Sequence, residues 1–124
     1  MNYTHILRYF EYEINKKDVT VDVAMEHCQG GTLQELINKY KAQEKKISED
    51  LIWRIFYQLV QALDYLQKEE VVHRNINPSN IYFKETQRKN IKLGGFCFAK
   101  KIENEDTLAS TVLPQTTYLS PEQI

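Results

Sequence analysis

The segment His73-Arg74-Asn75-Ile76-Asn77-Pro78-Ser79-Asn80 is a polar stretch set between two short apolar runs, Val71-Val72 before it and Ile81-Tyr82-Phe83 after it. A polar turn then leads to Ile91-Lys92-Leu93, and the two apolar triplets read as the arms of a hairpin. Gly94-Gly95 and Phe96-Cys97-Phe98-Ala99 come next. From Lys101 to Thr117 the chain is polar with several hydroxyls and reads as a loop, closing on Tyr118-Leu119-Ser120-Pro121-Glu122-Gln123-Ile124.

Toward the N-terminus the pattern lengthens. Leu51, Ile52, Ile55, Phe56, Leu59, Ala62, Leu63 and Leu66 recur at helical spacing, with no Gly or Pro between them. Ser48 stands before Glu49 and Asp50, two acids that a helix dipole favours in its first turn, so a long amphipathic helix runs to about Lys68. A shorter helix is predicted from the N-cap Thr32 through Tyr40, with Leu33, Leu36 and Ile37 on its buried face. Ile6–Ile14 and Val19–Met25 alternate in character and read as two antiparallel strands joined by the polar turn Asn15–Asp18. The lysine-rich run from Lys39 to Lys46 is a solvated helix end and loop. Trp53 and the tyrosines read as core and surface fillers.

Composition narrows the function classes. The chain has 124 residues and a net charge of −1, which argues against nucleic-acid binding by bulk phosphate neutralisation. No apolar run approaches the ~20 residues that span a bilayer. The N-terminus lacks the basic start, apolar stretch and cleavage site of a signal peptide. Cys28 and Cys97 make neither a disulfide framework nor a metal-spaced set. The expectation is a soluble, intracellular, reduced protein with no nucleic-acid or membrane partner.

The order of these features resembles a protein kinase. His73–Asn80 is similar to the family's H-R-D-L-K-P-x-N catalytic loop, Gly95-Phe96-Cys97 stands in the place of D-F-G, and Ser120-Pro121-Glu122 in that of A-P-E. Within kinases, Val23-Ala24-Met25-Glu26-His27-Cys28-Gln29-Gly30-Gly31-Thr32-Leu33 looks like the hinge of the NIMA-related (NEK) group, and Asn104–Thr107 with the closing Y-L-S-P-E-Q look like its activation segments. Stress kinases that phosphorylate a translation initiation factor also end in Y-x-S-P-E-Q-I. The fold implied is α+β, a partial protein-kinase-like fold, with residues 1–28 as N-lobe strands and hinge and residues 29–124 as part of the helical lobe.

The resemblance also implies roles. Asn75 occupies the position of the catalytic carboxylate; a carboxamide keeps the shape but has no useful basicity. Asn77 stands for the lysine that steadies the transferring phosphate. Gly95 stands for the metal-binding aspartate and has no side chain, which leaves Asn80 as the one remaining metal-binding position of the pair. Cys97 replaces the glycine of D-F-G, and residues 114–118 depart from the group's G-T-P-Y-Y. Met25 corresponds to the gatekeeper, Glu26 and Cys28 present backbone groups to an adenine, and Tyr82 lies near the floor of that pocket. Arg74 matches an arginine that often pairs with an activation-loop phosphate, here on Ser110 or Thr111; the simpler reading is a bond to a backbone carbonyl or nearby acid. His73 and Phe96 match members of a stacked hydrophobic column.

The resemblance begins at the family's fourth strand and ends at S-P-E, so the Gly-rich loop, the phosphate-binding lysine and the helices beneath the long helix have no counterpart here. The long helix is therefore expected to expose apolar surface. The expected function is that of a NEK-like serine/threonine kinase homologue, a catalytically inactive pseudokinase fragment with weak ATP or protein binding and no firm hold on Mg. Two alternatives stand beside it: an active kinase completed by sequence outside this chain, and a decayed duplicate. The family implies a cytoplasmic location, or a nuclear or centrosomal one.

Overall fold

The long helix starts where its cap dictates. Ser48 Oγ accepts a hydrogen bond from the Leu51 N–H at 3.4 Å, and α2 runs Glu49–Lys68, with acids in its first turn and Lys68 in its last. The preceding helix, α1 (Leu33–Ala42), opens on a reciprocal capping box: Thr32 Oγ1 accepts from the Glu35 N–H (3.2 Å) while the Glu35 carboxylate accepts from the Thr32 N–H (2.9 Å). The computed structural model describes residues 3–102 and 117–123. The segment Asn104–Thr107, the candidate phosphate acceptors Ser110 and Thr111, and most of residues 114–118 lie outside them.

Among the described residues the strands form three two-stranded antiparallel sheets. β1 (Tyr9–Asn15) pairs with β2 (Thr20–Met25), and Asn15 Oδ1 closes their turn on the Lys17 and Asp18 N–H groups. β3 (Val71–Val72) pairs with the distant β6 (Lys100–Lys101). β4 (Ile81–Phe83) and β5 (Ile91–Leu93) make the expected hairpin. The first strand is shorter than its alternation suggested. Ile6 leaves it to bridge Leu93, through a Leu7 N–H bond to the Leu93 carbonyl (2.9 Å) and a Leu93 N–H bond to the His5 carbonyl (2.8 Å).

One core joins these pieces. Ile6, Leu36, Ile55, Ala62, Leu66, Ile81, Phe83, Ile91 and Leu93 are buried together, with Leu33, Leu51, Leu59 and Leu63 packed against them. Gln58 lies among them, buried, on the stripe that Ile55, Ala62 and Leu66 mark along α2. Its carboxamide donates to the Lys89 carbonyl (2.8 Å) and accepts from the Ile91 N–H (2.9 Å), fastening the hairpin to the helix.

Periodicity named apolar residues that the structure leaves exposed. Ile52 and Phe56 belong to the expected stripe of α2, yet they lie in solvent with Trp53 (61% exposed), Tyr57 and Val60. The helix is apolar on more of its circumference than its described neighbours cover. Val19, Val21, Val23 and Met25 are likewise exposed, because no described element lies over the β1–β2 ribbon. No helix among the described residues is long and apolar enough to cross a membrane.

These packing differences fix where substitutions are costly. Phe83→Ala, in the core, is expected to lower unfolding free energy by about 3–5 kcal/mol. Thr32→Ala, which removes a cap, should cost about 1 kcal/mol. Phe56→Ala should stay within about 0.5 kcal/mol of the parent. Urea unfolding followed by circular dichroism ranks the three.

Candidate functional site

The β4–β5 hairpin positions the polar loop. Asn80 sits immediately before β4 and Gly94 immediately after β5, and the Gly94 N–H donates to the Asn80 carbonyl at 2.8 Å. The open end of the hairpin is thereby closed, and four of the residues singled out in the sequence converge: Asn75, Asn77, Asn80 and Gly95.

Several of their polar groups bond to one another. The Asn77 amide donates to Asn75 Oδ1 (3.0 Å) and to the Asn75 carbonyl (3.2 Å), while the Asn80 amide donates to that same carbonyl (2.8 Å). Asn77 Oδ1 accepts from the Ser79 N–H (3.0 Å) and so caps the short 3₁₀ turn Pro78–Asn80. Asn77 is buried. A residue in the lysine position that serves as a buried turn cap is not extended toward a phosphate.

Gly95 fits only as glycine. Its φ is +74°, and a Cβ there would lie 2.2–2.4 Å from all three atoms of the Asn80 carboxamide group. Asn80 fills the space that a side chain at position 95 would need. The donors available to a hard divalent cation thus reduce to neutral amide oxygens, where such sites ordinarily draw on one or two carboxylates. The residues present do not fit Mg. Among the described residues no group of three or more His, Cys, Asp or Glu lies together to hold a metal ion.

A ring column stands beside this network. His73 and Phe96 have centroids 4.7 Å apart, and Tyr9 meets Phe96 edge-on at 6.0 Å. Tyr9 was not singled out in the sequence, although its hydroxyl accepts from the Gly95 N–H at 3.3 Å and partial burial raises its pKa above the ordinary phenol value. His73 Nδ1 accepts from the Asn75 N–H (3.1 Å), which assigns the proton to Nε2 and makes it the donor to the Gly94 carbonyl (2.7 Å). Burial pushes the imidazole pKa down, and the Gly94 bond opposes this in part. Arg74, held at φ +63°, bonds the Phe98 carbonyl through Nε at 2.7 Å, the simpler of its two expected roles.

The other four residues lie at the end of β2, in the segment that follows it and in β4. Tyr82 in β4 lies close over Gly94 and pairs across the ladder with Lys92. The Glu26 N–H donates to the Arg8 carbonyl (2.9 Å), and the Gln29 and Gly30 N–H groups donate to the Lys84 and Phe83 carbonyls (3.2 and 3.0 Å). Cys28 lies between these anchors, half-buried; burial first, and the nearby Glu26 carboxylate second, raise its thiol pKa, so it is not an activated thiolate. Met25, expected as the gatekeeper, is exposed. Lys92, also missed in the sequence, places its ammonium 3.2 Å from Glu26 Oε1. Its only signal was a charge inside an otherwise apolar triplet.

A cavity of about 710 Å³ opens beside the loop, lined by Leu63, Leu66, Val72, Asn75, Asn77 and Leu119 among others. None of Met25, Glu26, Cys28 or Tyr82 borders it.

A short polar loop thus lies between a long helix and a hairpin, with a Gly-Phe turn beside it at the hairpin's open end. The protein kinase domain model matches residues 1–124, and the chain belongs to the protein kinase family. It is 38% identical over 127 residues to the probable serine/threonine-protein kinase nek2 of Dictyostelium discoideum, covering the whole of this chain and 30% of that protein. It is 30% identical to human serine/threonine-protein kinase Nek2, again over the whole chain and 28% of the relative. The rat interferon-induced, double-stranded RNA-activated protein kinase is 34% identical over 82% of this chain and 19% of its own length. The chain therefore spans less than a third of the length of these relatives.

The buried imidazole gives a pH dependence with a definite sign. Folded His73 binds a proton less readily than it does in the unfolded chain, so its contribution to stability is complete above the ordinary imidazole pKa of about 6.5 and declines as pH falls below it. The slope from this group approaches at most about 1.4 kcal/mol per pH unit. Urea unfolding at pH 7.5 and 5.5 should show this loss in the parent and a smaller one in His73→Phe, which keeps a ring beside Phe96.

Proposed function

We propose that this chain is a non-catalytic, NEK-like kinase homologue that works by binding and does not transfer phosphate. The observation that carries the reading is the charge of the loop. Asn75, Asn77 and Gly95 are neutral where the family's loop and metal positions are charged, and the Asn75, Asn77 and Asn80 amides are bonded within the loop. Phosphoryl transfer is mostly positioning and charge stabilisation, and loss of one such electrostatic group commonly costs on the order of 10²–10³ in kcat. With these three positions neutral together, neither the loop nor the Gly-Phe turn offers a carboxylate to take the substrate proton or hold Mg, and the lysine position carries no cation to steady the phosphate.

The function left to such a site is recognition. The backbone between Glu26 and Cys28, with Tyr82 beneath it, offers an edge for an adenine ring, and binding there needs no metal. The proposed macromolecular partner is a protein, for which the exposed row on α2 supplies apolar contact area and the near-zero net charge sets no preference for nucleic acid. The proposed location is the cytoplasm, a reading the family resemblance supports.

Incubation with labelled ATP, Mg and a generic acceptor protein should give no transfer above background; transfer abolished by Asn80→Ala would overturn the reading. Asn75→Asp with Gly95→Asp should not restore activity. Gly95→Asp alone should destabilise by about 1–3 kcal/mol, because it strains φ and displaces the Asn80 amide. ADP should raise the thermal midpoint equally with EDTA and with Mg, and absence of any shift removes the nucleotide part of the proposal.

A further inference from the structure

Lys92 is a cation placed where the fold otherwise puts apolar side chains. It lies between Ile91 and Leu93, both in the core, and is itself only 8% exposed. Strand alternation turns it away from that core, to the face it shares with its ladder partner Tyr82. There its ammonium meets two separate pieces of chain: the Ile6 carbonyl at 3.4 Å and Glu26 Oε1 at 3.2 Å. The second contact is ionic, since Oε1 is buried and lies out of line for a hydrogen bond.

Glu26 is the first residue beyond β2, and two bonds fix it: its N–H to the Arg8 carbonyl and its carboxylate to Lys92. Three residues later the chain is fixed again, by the Gln29 and Gly30 N–H groups on the Lys84 and Phe83 carbonyls. Gly30 is so close to β4 that a Cβ would fall 2.4 Å from both the Glu85 carbonyl oxygen and Phe83 Cβ. The far anchor is therefore rigid backbone against backbone. At the near anchor, the fastening to the hairpin is a single side-chain charge pair. His27 and Cys28 are strung between the two.

We propose that Lys92 is the positioning residue of the Glu26–Gly30 edge: its ion pair with Glu26 holds the near end of that edge over the β4–β5 hairpin and so sets where the Cys28 backbone stands relative to Tyr82. The inference deepens the proposed adenine site and rests on that reading for its ligand, an adenine nucleotide. The positioning itself is a property of the free protein. With Lys92 removed, the Glu26 carboxylate is left partly buried without its cation and turns toward water, drawing the Glu26 backbone from Arg8.

Amide hydrogen exchange on the full chain without nucleotide tests the positioning. In Lys92→Met the Glu26 amide should exchange at least ten-fold faster, while amides at the centre of α2 near Ala62 keep their parental rates. Lys92→Arg should return the Glu26 amide to within about three-fold of the parent, because it retains the charge. No change at Glu26, or an equal acceleration throughout α2 that marks general loosening, would overturn the proposal. Glu26→Gln with Lys92→Met removes both charges and guards against failure to fold; in that variant the Glu26 amide should still exchange faster than in the parent, and parental protection there also counts against the proposal. ADP titration in EDTA is the second arm, with affinity falling at least five-fold in Lys92→Met and recovering in Lys92→Arg. If the parent binds no ADP, the adenine reading fails, and exchange alone decides whether Lys92 positions the edge.

Discussion

The fold depends on a carboxamide that faces the wrong way for an amphipathic helix. Gln58 points into the core, where its amide and carbonyl meet the Lys89 carbonyl and the Ile91 N–H. Those backbone groups begin β5 beneath a helix and out of reach of water, where an unmet donor or acceptor costs about 1–3 kcal/mol. Gln58 answers both at once, and in doing so sets how far along α2 the hairpin sits. Everything attached to the hairpin inherits that register: Asn80 at its entry, Gly94 and Gly95 at its exit, and Lys92 on its outer face.

The loop that follows α2 keeps a shape whose charges are gone. Asn75, Asn77 and Asn80 are not stranded polar residues; their amide groups bond within the loop, and Asn77 caps the turn that Pro78 begins. These bonds join neutral groups, so they need neither a cation nor a nucleotide to form. The same bonds hold the Asn77 side chain inside the loop. Gly95 completes the arrangement, since the space beside it belongs to Asn80.

What could be read from the residues was what short-range physics specifies. The caps at Thr32 and Ser48, the length of α2, the Asn15–Asp18 turn and the β4–β5 hairpin each rest on neighbours within a few positions, and each is found. The pairing of Val71-Val72 with Lys100-Lys101 was not legible, because a two-residue ladder across 27 intervening residues leaves no local pattern. Alternation in Val19–Met25 specified a strand but carried no information about whether anything covers it. Gln58 escaped notice because a polar residue on an apolar stripe reads as an interruption, although its spacing from Ile55 and Ala62 placed it inside. In the candidate site the residue types could be matched to a family pattern, whereas the bonds among the asparagines, the Tyr9 hydroxyl on Gly95 and the Lys92 contact with Glu26 are long-range or depend on side-chain rotamers that no spacing encodes.

The exposed aromatic row on α2 also governs how copies of this chain behave toward each other in water. Ile52, Trp53, Phe56, Tyr57 and Val60 lie together on one helix, and the β1–β2 ribbon adds Phe10, Tyr12, Ile14, Val19 and Val21. A net charge of −1 provides almost no long-range repulsion, and at physiological salt what there is fades within about 8 Å. Short-range apolar attraction then dominates the pair potential, giving a negative second virial coefficient. Colloidal behaviour is thus set by this surface and not by the core.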